Sequence, residues 1–535
     1  MLACWRISNC FPCRTRNGFC CRADALPTHA QEQKNNKKKV IVVGSGWAGL
    51  GAAHHLSKQG HNVTLLEADS FPNSKNISTS SSDVGIHGFW YPYQNIFSLV
   101  DELGIKPFTN WTQSALYSPE GMEVEFPVFQ DLLQLPTPLG SLLYTEYLRL
   151  PLVDRLTALP LMAAVIDFDN TDTAWRKYDS MTARELLKQF GSSERLYQDV
   201  FSPMLQVGLF APPEQCSAAA TLGLLYYFVL AHQRDFDVVW CRGTIREKVF
   251  EPWLDTIKAN GCQFLEGRKV TDFKLNEETG CISEVVCGEE MYGADAIVLA
   301  VGISMLQEII KNSSVLKTRE EFLKVLNLNG VNVLTLKLRL DRKVNIPKAS
   351  NVCFGFDDLS GWTFFDLNTI HDEYKDEPAT VLQADFYHAD QLMPLEDEQI
   401  VSKVMSYLSK CINGLADTTV LEKEIRIFPR SLTHYFPGSY KYMMRGSTSF
   451  PNLFMAGDWI INRHGSWSQE KAYVTGLEAA NRVVDYLEEG NFAKIIAVEE
   501  DEFHIQALRS FNKSIDELLY HNLTRSHTQC QFRYG

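Results

Sequence analysis

Positive charge is what this chain has too little of. Its 51 Lys and Arg face 65 Asp and Glu, for a net charge of −14, whereas a phosphate backbone is bound by a clustered surplus of Lys and Arg. A nucleic-acid partner is therefore excluded. Long apolar runs are missing too: no uncharged apolar stretch reaches the roughly 18 residues that cross a bilayer. No transmembrane segment is expected, and the protein reads as soluble or peripherally membrane-associated. No segment recurs at a period of roughly 20 to 50 residues, so a solenoid is excluded. There is no Ser-His-Asp arrangement to activate a nucleophile. Metal-ligand spacing is nearly absent as well. Cys10-x-x-Cys13 has the spacing of a zinc pair, but Cys20-Cys21 offers no second pair and only His29 is near, so no metal is expected. The cysteines beyond this region, such as Cys216, Cys262 and Cys411, are scattered, as in the core of an intracellular enzyme.

What is present begins with a leader. Residues 1–38 carry Arg6, Arg14, Arg16 and Arg22 against Asp24 and Glu32, with no helix or strand pattern. They read as an organelle transit peptide, chloroplast rather than mitochondrion because no basic amphipathic helix is evident. The whole chain, 535 residues and 45% hydrophobic, is long enough for two or three domains.

The stretch the rest is organised around is 39–67. Val40 to Val43 reads as a buried strand and runs into Gly44-Ser45-Gly46-Trp47-Ala48-Gly49, which opens a helical pattern through Leu50, Ala53 and Leu56. A second strand, Val63 to Leu66, ends on Glu67. Gly44 permits the tight turn, Gly46 lets the backbone approach a pyrophosphate, and Gly49 lets helix and strand pack closely. The helix start supplies N–H groups for the phosphates, and Glu67 stands where a carboxylate takes the ribose hydroxyls.

Further along, Gly85 and Gly88 in a Gly-rich aromatic segment suggest close approach of a flat ligand, and His87 suits either a core or a ligand-facing role. From 109 to 234 the periodicity is mostly helical. Leu139 to Ile166 is apolar but broken by charges and prolines, fitting core helices or an amphipathic surface that dips into a membrane interface. Leu224 to Leu230 reads as an apolar helix, suited to the core or to lining a pocket for a long apolar molecule. An α/β pattern returns near Trp240, with strands at Arg268 to Phe273 and Ile282 to Val286 and a buried parallel strand from Ala294 that runs into Gly302. Residues 303–444 alternate strands and helices. Asn452 to Met455 is a strand that ends in Gly457-Asp458, followed by a helix through Gly476 for which Ser466 and Gln469 fit a capping box. The tail from Asp501 reads as an amphipathic helix.

Residues 39–67, 83–104, 201–220, 240–302 and 452–487 together resemble the flavin-dependent amine oxidase and carotenoid desaturase superfamily. Gly85-Ile-His-Gly-Phe-Trp-Tyr-Pro-Tyr-Gln-Asn95 is similar to the glycine-histidine-aromatic segment of plant-type desaturases, and Ala456-Gly-Asp458 to their flavin motif. Ser468 stands where amine oxidases place a cage tyrosine. His434 to Ser439 and Gly465 to Tyr473 are similar to cyanobacterial carotene desaturases. The resemblance implies an α/β fold with a discontinuous Rossmann-like FAD-binding domain (39–108, 235–302 and 445–488) and an α+β substrate-binding domain (109–234 and 303–444). A helical tail at 489–535 follows. It implies FAD held at Gly44, Gly46, Trp47, Ala48 and Gly49, with Glu67 at the ribose and Val270 at the adenine. Gly457 and Asp458 would lie along the second phosphate and ribityl chain, and Gly476 near the flavin. The family usually continues after its acid with Gly-Gly-Arg or Gly-Gly-Lys, where this chain has Asn73-Ser74-Lys75.

The implied reaction is desaturation of a long apolar isoprenoid such as a carotenoid. A hydride leaves an allylic carbon for flavin N5, a proton leaves its neighbour, and the electrons pass on to a quinone or to oxygen. An apolar tunnel matters more here than strong acid–base residues, and no catalytic residue is nominated. An amine oxidase or carotenoid isomerase of the same fold, or a degenerate lipid-binding or partner scaffold, are the alternatives.

Overall fold

The computed structural model describes residues 37–69, 84–356 and 361–514. The leader cysteines and Asn73-Ser74-Lys75 lie outside the described residues, as does most of the leader.

The apolar run before the glycines forms strand β1 (Lys39–Val43), and helix α1 (Trp47–Lys58) and strand β2 (Asn62–Leu66) follow at the expected places. β1 and β2 pair in parallel. Parallel strands at Gln263–Leu265, Ala296–Leu299 and Leu453–Met455 complete a five-stranded sheet. Counted in sequence, its order is 5-4-1-2-3, the doubly wound order. Segments far apart in the chain therefore build one Rossmann-like sheet. Because both faces are covered, its strands are nearly all apolar, as Ala296–Leu299 shows by being wholly buried.

A three-stranded antiparallel sheet lies between the third and fourth strands in sequence. Its first strand is Asp272–Leu275, so Arg268 to Thr271 precede the strand rather than forming it. Arg268 instead donates its N–H to the carbonyl of Glu67, and Gly267 to that of Asp69.

The third sheet has eight strands, ordered Val420–His434, Asn329–Leu340, Val381–Tyr387, Gly361–Asp366, Ser350–Cys353, Ser114–Ser118, Gly121–Phe126 and Glu146–Tyr147. Three of them come from the stretch read as mostly helical. On one face Leu334, Leu336, Phe364, Ala384 and Phe386 pack with the helix Asp397–Cys411 through Ile400, Val404 and Leu408. The period of two then sends Thr335, Thr363, Gln383, Asp385 and Tyr387 to the opposite face. Thr335, Asp385 and Thr363 lie side by side across three strands.

A two-stranded ribbon joins Gly88–Trp90 to Val238–Trp240. Helix α2 (Gln94–Leu103) starts just after it.

Candidate functional site

The glycine turn has the geometry its spacing called for. Gly44 adopts φ +97°, where a side chain would be strained, and a Cβ there would lie 2.4 Å from the Ala300 carbonyl oxygen. At Gly49 a Cβ would lie 1.7 Å from the carbonyl oxygen of Gly44. At Gly46 it would meet nothing within 4 Å. Gly46 is also the N-cap of α1, and no side chain caps that end. The first N–H groups of a twelve-residue helix thus face open space, the arrangement that receives a phosphate.

Glu67 reaches back over this turn. Its Oε2 accepts the N–H of Ser45 at 3.0 Å and the Ser45 hydroxyl at 2.5 Å, and its Oε1 accepts the N–H of Asp69. The carboxylate is thereby fixed beside the helix start. Trp47 turns its ring inward onto Phe89 and Phe250, so that only its backbone can meet a ligand. Val270 is buried among Ile41, Val43 and Leu66 at the same edge of the sheet, again leaving backbone as its usable part.

At the end of strand Leu453–Met455, which Ala296–Leu299 separates from β1, Gly457 has φ +143°, and the Thr475 hydroxyl bonds its N–H and carbonyl at 2.9 and 3.1 Å. Asp458 is half-buried, and desolvation raises its carboxyl above the ordinary range while the Lys471 charge opposes the rise. Gly476 serves packing: a Cβ there would lie 2.1 Å from the Ala48 carbonyl oxygen, so the helix Gln469–Leu487 rides directly on the first turn of α1. An uncapped helix start, an open glycine cradle and a carboxylate over the turn fit a dinucleotide.

The capping box at Ser466 and Gln469 does not form. Ser468 is the N-cap and accepts the Lys471 N–H at 2.8 Å, while the Ser466 hydroxyl donates to the Ala220 carbonyl. Gln469 donates its side-chain amide to His87 Nδ1 at 2.8 Å. Gly85 and Gly88 admit protein rather than ligand, since a Cβ at Gly85 would lie 2.6 Å from Asp385 Oδ2 and one at Gly88 2.9 Å from the Trp240 ring.

Several residues that sequence reasoning passed over gather here. Asp385, fully buried on the polar face of the eight-stranded sheet, accepts the Ile86 N–H at 2.9 Å and the Gln383 amide at 2.8 Å. Burial pushes its carboxyl up to about 6. Phe210 packs on Tyr387 and on Trp467 with φ +64°, a strained conformation for a bulky residue. Glu470 is buried and accepts N–H groups of Asn95 and Ile96 at the start of α2, yet burial outweighs these bonds and pushes it up to about 7.

A narrow apolar cavity of about 100 Å³ lies among Phe129, Leu142, Met162, Phe201, Met204 and Leu225. The two helices that supply Met204 and Leu225 also hold the loop before the long helix: the Gly208 carbonyl accepts Trp467 Nε1 at 2.6 Å, and the Ala220 carbonyl accepts Ser466. On the outer side the same short helices that line the cavity expose Leu143, Leu152 and Val153 by 63 to 70%. No helix among the described residues is long and apolar enough to cross a membrane.

These features define an α/β protein with a dinucleotide cradle between two strand ends. The family model for flavin containing amine oxidoreductases matches residues 47–484, and the chain belongs to that family. It is a flavin-containing oxidoreductase by that membership. The chain is 24% identical over 464 residues to a 15-cis-phytoene desaturase of Capsicum annuum, covering 84% of this chain and 78% of that protein. It is also 24% identical over 480 residues to a zeta-carotene desaturase of Synechocystis, covering 83% and 97%. Among solved structures, cyclohexylamine oxidase from Brevibacterium oxydans superimposes with TM-score 0.62 at 15% identity, over 85% of this chain and all of that one. Putrescine oxidase bound to putrescine gives 0.61 at 14% identity, over 84% and 99%. At such identity the two oxidases speak for the fold.

Proposed function

We propose that the protein is an FAD-dependent desaturase of a long isoprenoid, a carotenoid by the names of its relatives. The carrying observation is the leucine- and phenylalanine-lined cavity, joined through Gly208–Trp467 and Ala220–Ser466 to the loop that leads into the long helix. An amine would need cation-binding aromatic or acidic groups, and Ser468 is committed to capping a helix. The cavity is smaller than a long isoprenoid, so its side chains must part as the substrate enters.

In this reading Gly44, Gly46, Gly49 and Glu67 hold the adenosine diphosphate, with the Val270 backbone at the adenine and Gly457 and Asp458 at the second phosphate and ribityl chain. The five-stranded sheet serves the cofactor and the eight-stranded sheet the substrate. Bound flavin supplies the hydride acceptor. The protein's part is to orient one carbon–hydrogen bond and exclude water from it. Leu143, Leu152 and Val153 rest on a plastid membrane, from which the substrate enters and where a quinone takes the electrons.

Protein reconstituted with FAD and mixed anaerobically with phytoene or zeta-carotene in detergent should lose its flavin colour, and none should be lost with putrescine. Bleaching by putrescine alone would establish the amine oxidase. A chain that takes up no FAD would sink every redox reading and leave a scaffold.

A further inference from the structure

Lys471 occupies a place where a positive charge is opposed twice. It is the third residue of the helix Gln469–Leu487, and a cation there meets the positive end of the helix dipole. It is also only 3% exposed, so its ammonium has lost most of its water. Helix side chains lean toward the N-terminus, and this one runs back to donate from Nζ to the Ser466 carbonyl at 2.7 Å. A neutral carbonyl is a weak partner for a buried ammonium that carries three donors. No carboxylate among the described residues lies within ion-pair distance of Nζ. Glu470, its neighbour in sequence, is turned away to Asn95 and Ile96. The titratable groups whose fields reach Lys471 are Asp458 and Glu478, which favour its charge, and His464, which opposes it.

The lysine nevertheless lies near the cradle, within reach of the Asp458 charge. Thr475, one turn further along the same face of the helix, holds both backbone polar groups of Gly457. Gly476 fixes that helix on the start of α1. The ammonium therefore sits on the Gly457-Asp458 side of the cofactor site, buried and short of an anion. A reduced flavin carries a negative charge at neutral pH, and charge near its ring tunes its readiness to accept electrons.

We propose that Lys471 is the fixed cation of the flavin site, a positioning residue whose charge favours the reduced cofactor. This role rests on the flavin reading above. Desolvation holds the lysine down to about 8 before any further anion is present. An adjacent reduced flavin would raise it again, so reduction above about pH 8 should bind one more proton per flavin than reduction below it. His464 is held down to about 4, below that window, while burial raises the carboxyls of Asp458 and Glu478 and the Lys471 charge opposes the rise in both.

The test is the two-electron equilibrium of the FAD-loaded full chain with a reference dye, measured across pH for wild type, Lys471→Arg, Lys471→Met and Lys471→Gln. Wild type should show the extra proton above about pH 8. Met and Gln should lose it and shift the oxidised-to-reduced ratio about tenfold toward oxidised flavin at neutral pH, while Arg keeps the wild-type ratio. Wild type alone decides if the neutral variants do not fold, because a constant proton uptake across pH 8 overturns the proposal. Loaded Met and Gln variants with the wild-type equilibrium overturn it too. A wild-type chain that takes up no flavin overturns the flavin reading itself, and this role with it.

Discussion

Asp385 Oδ2 accepts the backbone N–H of Ile86 at 2.9 Å, which ties the polar face of the eight-stranded sheet to the segment that carries His87. His87 in turn receives the amide of Gln469 at the head of the long helix. One buried carboxylate thus helps fix how the eight-stranded sheet stands to the helix beside the cradle.

Asp385→Ala should leave the Ile86 N–H and the Gln383 amide without an acceptor in a fully buried place. A buried donor left unpaired costs roughly 1–3 kcal/mol. The urea midpoint should fall accordingly, and Asp385→Asn, which keeps a carbonyl for Ile86, should lose less. Equal losses in the two variants would show that the acceptor is not what matters.

Glu470 makes stability depend on pH in a definite sense. Its carboxyl sits at about 7 in the folded chain against 4.5 ordinarily, so the folded state holds the proton more tightly than the unfolded one. Stability from this group is full below about 4.5 and is lost as pH rises through 7. The loss amounts to roughly 3 kcal/mol at most. Asp385 and Asp237, both pushed up to about 6 by burial, act in the same direction. The stability of wild type minus that of Glu470→Gln should therefore fall, by up to roughly 3 kcal/mol, from about pH 5 to about pH 8 in urea titrations. A value that rises with pH would contradict the assignment.

The cradle was legible in the sequence because its constraints are local: β1 is a short apolar run, and Gly44, Gly46 and Gly49 must occur at fixed spacing. The strands at Ser114–Ser118 and Gly121–Phe126 were not: they pair with each other, but helical periodicity dominates their surroundings and Ser350–Cys353, which ties them into the sheet, is distant in sequence. Ser466 and Ser468 compete for one cap, and only tertiary contact decides, since the Ala220 carbonyl claims the first. Nothing local in the sequence singles out Asp385 or Lys471. The one available signal for Asp385 was alternation, which puts it on the same strand face as Gln383, but alternation does not say whether that face meets solvent or another sheet.

Gly46 and Gly49 should separate binding from folding. Gly49→Ala would push a methyl into the Gly44 carbonyl, where only backbone could yield, and should abolish the folded chain. Gly46→Ala meets no protein atom and should leave the thermal midpoint within about 1 °C. Yet its methyl would enter the space assigned to the pyrophosphate and should weaken FAD binding at least about tenfold, or about 1.4 kcal/mol. Thermal unfolding and FAD titration of the Gly46 variant check both halves. Unchanged FAD affinity would move the cofactor away from this turn.

The outer leucines supply the last test, because they are costly to leave in water and idle in the fold. Leu143, Leu152 and Val153 are 68%, 63% and 70% exposed, on short helices whose inner sides line the apolar cavity. Burying such a side chain in a membrane interface is worth roughly 1.5–3 kcal/mol at full burial. Replacing all three by Glu removes that gain and adds charges that resist the interface. The triple variant should keep the wild-type thermal midpoint, since few core contacts change, while its sedimentation with liposomes of plastid lipid composition falls at least about tenfold. Turnover of a carotene embedded in those liposomes should fall in parallel, whereas turnover of the same carotene dispersed in detergent should not. That split identifies the patch as the entrance for a membrane-borne substrate. Equal loss in both media would place the leucines in the cavity's own structure instead.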